Sequence, residues 1–321
     1  MRYFATLGPN FNSVATLKKA KEIGITGLRL NLSHGLLKDR IEWINNVAQI
    51  SSNDFTFEIL LDIQGGEFRI SISDDLSISI ADIINFSWED LGYENQVLID
   101  EIFIKNTNLG DIIKLDDGKL ELEVIEQSHN YFKAMALNDH HLKNKKSACI
   151  KDKIIIKDSL SADDYINLKL AKNLNINSFM IPFVRSKSDL IFIKEALKNI
   201  GFSDCRIYAK IEDNLGLDNL EDFIDFADEI VIARGDLANN LGLLAMPKIQ
   251  KQISKTCKSR GKDFMVVTQL LDSMVDKPTP TRAELNDIYN SVLDGATSLM
   301  ITGETAVGDY PLEACKYLVE G

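Results

Sequence analysis

The sequence has 321 residues, enough for about two domains or for one large barrel carrying an insertion. Hydrophobic residues make up 45% and charged residues 26%, the balance of a globular enzyme with a sizeable core. The 36 basic and 48 acidic residues leave a net charge of −12, which disfavours a nucleic-acid binder, and no apolar run reaches the ~18 residues that would suggest a membrane span.

The start, MRYFATLGPN, lacks a charged segment followed by an apolar one, so a cytoplasmic protein is expected. Cys149, Cys205, Cys257 and Cys315 lie far apart with no CxxC, which fits a reducing compartment and small buried hydrophobic roles.

Along the chain, eight short runs rich in Ile, Val and Phe read as strands covered on both faces: 2–7, 27–32, 55–63, 178–184, 206–211, 229–233, 264–268 and 298–302. Helical patterns lie between most of them. Segment 13–23 places Val14, Leu17, Ala20 and Ile23 near one stripe. Segment 161–174 opens on Ser161 with acids at the positive helix end, and the next helix, 188–197, starts from Ser188. Further helices are expected at 217–226, 246–260, 282–293 and 311–318.

This alternation predicts an α/β fold, a (β/α)8 TIM barrel. The period breaks between about residues 70 and 159, where apolar and polar residues alternate and LDDGKLELEV reads as a hairpin turning at Asp117-Gly118. A small β-rich domain over 70–158 is therefore expected after strand 3, with the catalytic barrel formed by 1–69 and 159–321. Without the insertion about 230 residues remain, a usual barrel size.

Active sites of such barrels sit at the C-terminal strand ends. Polar residues gather there in seven consecutive strands: Arg29 and Asn31; Asp62, Glu67 and Arg69; Arg185; Lys210 and Glu212; Arg234 and Asp236; Thr268; and Thr302 with Glu304. Residues two apart share a strand face, which pairs Lys210 with Glu212, Arg29 with Asn31 and Arg234 with Asp236. So many charges are costly to bury without mutual pairing or a ligand. Two carboxylates on adjacent strands, Glu212 and Asp236, suit Mg²⁺ or Mn²⁺, and Arg29, Arg69 and Lys210 suit a phosphate. No histidine stands out as a general base: His129, His140 and His141 are expected to be solvated in the insertion, and only His34 is near the mouth.

At these residues the chain resembles the pyruvate kinase family. ATLGP (5–9), LRLNLSHG (28–35), LLDIQGGEFR (60–69), PFVRSKSDL (182–190), AKIEDNLGLDNL (209–220), VIARGDL (231–237), VTQLLDSM (267–274) with PTPTRAE (278–284), and MITGETAVGDYP (300–311) follow the family's motifs in order. The resemblance implies phosphoryl transfer from phosphoenolpyruvate to ADP, giving pyruvate and ATP.

By motif position it places Glu212 and Asp236 on the divalent metal. Lys210 and Arg29 fall on the transferring phosphoryl, and Thr268 on the proton of the enolate. The backbone N–H groups of Gly235 and Asp236 fall on the substrate carboxylate. Asn31, Ser33, Asp62 and the Ile63 carbonyl would hold K⁺, with Glu67 the acid that accompanies potassium dependence. Thr6, Pro9, His34 and, from the insertion, Lys146 would lie near the nucleotide.

The sequence also departs from the family pattern. Gln64 and Gly66 replace Lys and Pro, Pro182 replaces Ser, and Ala238 and Asn240 replace Gly and Glu. The lid stretch keeps only Lys145 and Lys146. The resemblance implies a chain without the family's C-terminal regulatory domain and without allostery through it; a homo-oligomer is open. Two other readings stay open: a diverged Mg²⁺-dependent enzyme acting on another 2-oxo acid or acceptor, for which Lys146 is not needed, and a non-catalytic metabolite-binding protein.

Overall fold

The near-continuous Ile/Val/Phe runs form strands buried on both faces. β1 (Arg2–Thr6), β2 (Gly27–Asn31), β3 (Glu58–Asp62), β4 (Ser178–Ile181), β5 (Arg206–Ile211), β6 (Glu229–Ala233), β7 (Asp263–Val267) and β8 (Ser298–Ile301) pair in parallel in chain order, and β8 closes on β1. The protein is thus a (β/α)8 barrel with a second unit following β3. The computed structural model describes every residue except 53, 94, 117, 152, 154 and 156–158, and the side chain of residue 34.

β3 starts later than the apolar run, at Glu58. β4 stops at Ile181, because Pro182 has no N–H for the ladder and Phe183 turns to φ +49°. Inside the barrel, Phe4, Leu60, Met180, Tyr208, Met265 and Met300 pack together. Gly27 leaves room for this layer: a Cβ there would lie 2.2 Å from the Phe4 ring. The alternate strand residues, such as Ala5, Leu61, Phe179 and Ile230, join the larger core beneath the helices.

Short polar caps start the helices. Ser13 accepts from Thr16 N–H to open α1 (Val14–Ile23), and Gly24 at φ +117° ends it. α2 (Ile41–Ala48) was not expected from the sequence. Reciprocal Ser161/Asp164 bonds start α3 (Ala162–Asn173). α4 (Lys187–Ile200) is capped by Ser186, not Ser188, because only Ser186 has an acid, Asp189, three residues on to complete the reciprocal bond.

The helix expected at 217–226 is instead broken into Asn214–Asp218, Leu220–Phe223 and the tight turn Ile224–Phe226. Asn219 stands at the break and donates its side chain to the Arg185 carbonyl at 2.9 Å. α5 (Arg234–Leu241), α6 (Met246–Ser259), α7 (Arg282–Leu293) and α8 (Pro311–Glu320) complete the ring.

The chain divides into Met1–Gly65 with Ser159–Gly321, and Gly66–Asp158. The second unit holds a six-stranded sheet, the antiparallel pair Leu76–Ile78 and His140–Leu142, and the short helix Glu101–Asn106. Its core is its own, with Phe86 stacked on Phe132 at 4.5 Å between ring centres. Ile112–Leu115 and Leu120–Gln127 form a hairpin. Asp117 lies outside the described residues, and its neighbours Asp116 and Gly118 both have positive φ.

Residues 66–69, expected in the barrel domain, group with this second unit instead. The Phe68 carbonyl accepts from Ala148 N–H at 2.9 Å, and Ile70 N–H donates to Lys146 at 3.0 Å. All four cysteines are free; Cys257 and Cys315 are buried as expected, while Cys149 and Cys205 are only partly so. No described helix is long and apolar enough to cross a membrane.

The N-terminal strand ends carry a second charged network. Arg2 pairs with Glu229 and approaches the Tyr208 hydroxyl at 2.9 Å. Tyr208 and Ser178 donate to Glu58 at 2.6 and 2.7 Å. Burial pushes the Glu229 carboxyl up to about 7, against the attraction of Arg2.

The folded state therefore holds the Glu229 proton more tightly than the unfolded chain does. Its contribution to stability is full below pH 4.5 and is lost as pH rises through about 7. Glu229→Gln should flatten this part of the profile. Thermal unfolding followed across that window should show the wild type losing stability relative to the variant, and parallel profiles would contradict the assignment.

Candidate active site

Three strand ends place their charges in one cluster. Lys210 on β5 lies with Nζ 2.9 Å from Glu212 Oε1 and 3.3 Å from Asp62 Oδ1. Arg29 on β2 grips the other Asp62 oxygen through Nε at 2.9 Å and Nη2 at 2.6 Å. The Asp62 and Glu212 side chains are 3% and 1% exposed, and those of Lys210 and Arg29 14% and 12%. These are desolvated charges, so their pairing matters far more than it would on a surface.

Burial alone would raise the Asp62 carboxyl, but Lys210 and Arg29 outweigh it and hold it below its ordinary value. Burial alone would likewise lower the Lys210 ammonium, but Asp62, Glu212 and Asp236 outweigh it and hold it up. Lys210 is therefore a fixed positive charge, suited to stabilising an anion and unsuited to giving up a proton at neutral pH.

Three carboxylates face two cations in this cluster, leaving one negative charge over. Asp62 Oδ1 is buried beside Lys210 Nζ. This excess of buried hard oxygen donors over cations fits a bound cation. Glu212 Oε2 is oriented by Phe183 N–H at 2.8 Å. Asn240, at the position where the resembled family has Glu, donates to the carbonyls of Glu212 and Asp236 at 2.8 and 3.0 Å.

The strand-face pairing of Arg234 with Asp236 does not hold. β6 ends at Ala233, and both residues lie in the first turn of α5. Helical geometry sends them apart. Asp236 acts on Lys210, whereas Arg234 donates to the Thr268 carbonyl and to Asp287.

Thr268 follows β7 with φ +73°, and its Oγ1 accepts from Gly235 N–H at 2.9 Å. Asn31 stands opposite Asp62 in the β2–β3 register, and its Oδ1 accepts from Ser33 N–H at 3.0 Å. Ile63 N–H donates to the Met180 carbonyl at 3.2 Å, extending the β3–β4 contact by one residue.

Thr6 is buried, its hydroxyl donating to the Ile301 carbonyl at 3.0 Å, while Pro9 is exposed. The side chain of His34 lies outside the described residues.

Glu67, Arg69 and Lys146 belong to the second unit. Arg69 Nη2 pairs with Glu67 Oε2 at 2.5 Å, and its Nη1 donates to the Lys145 carbonyl at 2.6 Å. Lys146 Nζ lies 2.8 Å from Asp116 Oδ1. His140 is not simply solvated: its Nε2 lies 3.0 Å from Asp116 Oδ2. Burial would raise the Asp116 carboxyl, but Lys146, Lys119 and His140 together lower it.

Sequence reading missed what anchors the β3 exit. Asp164 accepts from Gln64 and Gly65 N–H, both at 2.9 Å, while also capping α3. The acid in the first helical turn was visible; its second use depends on β3 lying alongside.

These features define a (β/α)8 protein whose buried cations and carboxylates converge at the C-terminal strand ends. Residues 2–315 match the family "pyruvate kinase, barrel domain". The chain is 32% identical to the pyruvate kinase of Bacillus licheniformis over 96% of its own length and 54% of that protein's. It is 32% identical to the Schizosaccharomyces pombe pyruvate kinase, covering 98% and 64%, and 31% identical to that of Thermotoga maritima, covering 98% and 68%. The chain belongs to the pyruvate kinase family. It spans about half to two thirds of the length of these relatives.

The turn after β3 gives a direct structural prediction. Gly65 has φ +61°, and a Cβ there would lie 2.4 Å from Pro182 Cγ. Gly65→Ala should cost about 1–3 kcal/mol from overpacking, with left-handed strain added. Denaturant unfolding should show a lower midpoint; an unchanged midpoint would mean the turn relaxes freely.

Proposed function

We propose that this chain transfers the phosphoryl group of phosphoenolpyruvate to ADP, giving pyruvate and ATP. The observation that carries this reading is the buried Lys210 ammonium held against Asp62 and Glu212, with Arg29 on the same Asp62. A permanently charged lysine in a desolvated site is suited to a transferring phosphoryl, whose charge spreads over its oxygens.

In the proposed reaction the enol O–P bond breaks and a bond forms to a terminal phosphate oxygen of ADP. Lys210 and Arg29 stabilise the phosphoryl oxygens. The enolate left behind takes one solvent proton at C3 through a water beside Thr268. Gly235 and Asp236 offer backbone N–H groups to the substrate carboxylate; Gly235 N–H is kept oriented by Thr268 until then.

Glu212 and Asp236 would hold Mg²⁺ or Mn²⁺, which when bound supplies positive charge to the phosphoryl and carbonyl oxygens. Asn31, Ser33, Asp62 and the Ile63 carbonyl would hold K⁺, with Glu67 setting the potassium dependence. Thr6, Pro9, His34 and Lys146 are assigned to the nucleotide and Arg69 to the phosphate by motif position. A cytoplasmic location and self-association are part of the same reading.

Pyruvate formation from phosphoenolpyruvate and ADP, with Mg²⁺ and with or without K⁺, tests it. Lys210→Met should lower turnover by about 10²–10³ or more, while Mn²⁺ binding followed by electron paramagnetic resonance stays close to wild type. Unchanged turnover in that variant would overturn the role of Lys210. Glu67→Lys should reduce the K⁺ requirement, and an unchanged requirement would remove Glu67 from the cation site.

A further inference from the structure

Thr268 and Gln269 follow β7 with φ of +73° and +55°. Left-handed backbone at non-glycine residues costs about 1–2 kcal/mol each, and a β-branched threonine is among the least tolerant residues. Such a conformation persists only where its surroundings hold it.

What holds it is Arg234. Its Nε and Nη2 both donate to the Thr268 carbonyl, at 3.1 and 2.6 Å. Its Nη1 pairs with Asp287 Oδ2 on α7 at 2.6 Å and reaches Gln250 Oε1 on α6 at 3.5 Å. The next residue, Gly235, donates its N–H to the Thr268 hydroxyl. Residues 234 and 235 thus clamp the carbonyl and the hydroxyl of one strained residue. The Arg234 bonds run to Thr268 and outward to α6 and α7, away from the Lys210–Asp62–Arg29 cluster.

We propose that Arg234, braced by Asp287, is the positioning residue that aims the Thr268 hydroxyl for proton transfer. This rests on the proposed role of Thr268 above. Arg234 touches neither the reacting atoms nor the phosphoryl-binding cations, so its loss acts on one step. The guanidinium fork fixes the carbonyl in a plane; a lysine in its place offers one point contact and no fork. Asp287 acts through Arg234, so an amide there weakens the brace and leaves the arginine in place.

Two readouts separate the steps. Phosphoryl transfer is read as ATP formed in a single turnover by rapid quench. Proton transfer is read as exchange of the pyruvate C3 hydrogens with D2O, followed by proton NMR in the presence of Mg²⁺. Arg234→Lys should slow C3 exchange by about tenfold or more and leave ATP formation within about twofold, in the direction expected of Thr268→Ala. Asp287→Asn should show the same split, smaller in size, and keeps the test open if the Arg234 variant does not fold. Guanidinium added to Arg234→Ala should restore part of the exchange.

Lys251 pairs with Asp294 at 2.5 Å between the same helices, and Lys251→Met should change neither readout. Equal loss of both steps in Arg234→Lys and Asp287→Asn, or loss of neither, would overturn the positioning role. Wild-type turnover with normal exchange in Thr268→Ala would overturn the reading of Thr268, and the proposal with it. A folded wild type without any turnover would overturn the proposed function itself.

Discussion

The charge cluster at the C-terminal strand ends depends on Lys210 staying charged out of water. An isolated ammonium there would lose its proton, since burial favours the neutral form. Asp62 and Glu212 prevent this from two different strands, and Arg29 pairs with the other Asp62 oxygen. Each member is costly alone and tolerable together. The parallel barrel makes the arrangement possible because adjacent strands end at one mouth with their alternate residues facing inward.

The rest of the barrel supports that mouth. Asp164 ties the exit of β3 to the start of α3, fixing the turn that follows Asp62. Asn240 donates to the main-chain carbonyls of Glu212 and Asp236. Thr268 is held in an unfavourable backbone conformation by bonds to Arg234 and Gly235. The opposite end of the barrel carries its own paired charges, where Arg2, Glu58, Tyr208 and Glu229 close the strands without any sign of a shared mouth. The same barrel therefore holds two charge networks, one at each end of its strands.

The second unit follows different physics. Its strands alternate apolar and polar residues, so one face builds a core around Phe86, Phe103 and Phe132. Its polar side carries a local centre of its own, in which Asp116 gathers Lys146 and His140. The side chain of Lys146 is thereby ordered by a carboxylate near in the fold but thirty positions distant in the chain.

Composition and periodicity by themselves determined the eight strands, the inserted β-rich unit and the position of most helices. Apolar runs and caps are local, and each acts within a few residues. The same local reading found Arg29, Asp62, Lys210 and Glu212, because strand ends could be counted. It failed where a local rule had competitors. Ser186 and Ser188 looked alike as caps until the acid partner decided between them. Residues 66–69 follow the third strand closely in sequence and were expected in the barrel, but Phe68 and Arg69 bond to residues 145–148 of the second unit. Arg234 and Asp236 shared a strand face only for as long as the strand was taken to continue; the helix that begins there sends one to the charged cluster and the other to Thr268. Only tertiary structure could decide these, because ion pairs and hydrogen bonds between distant residues depend on which strands and helices become neighbours.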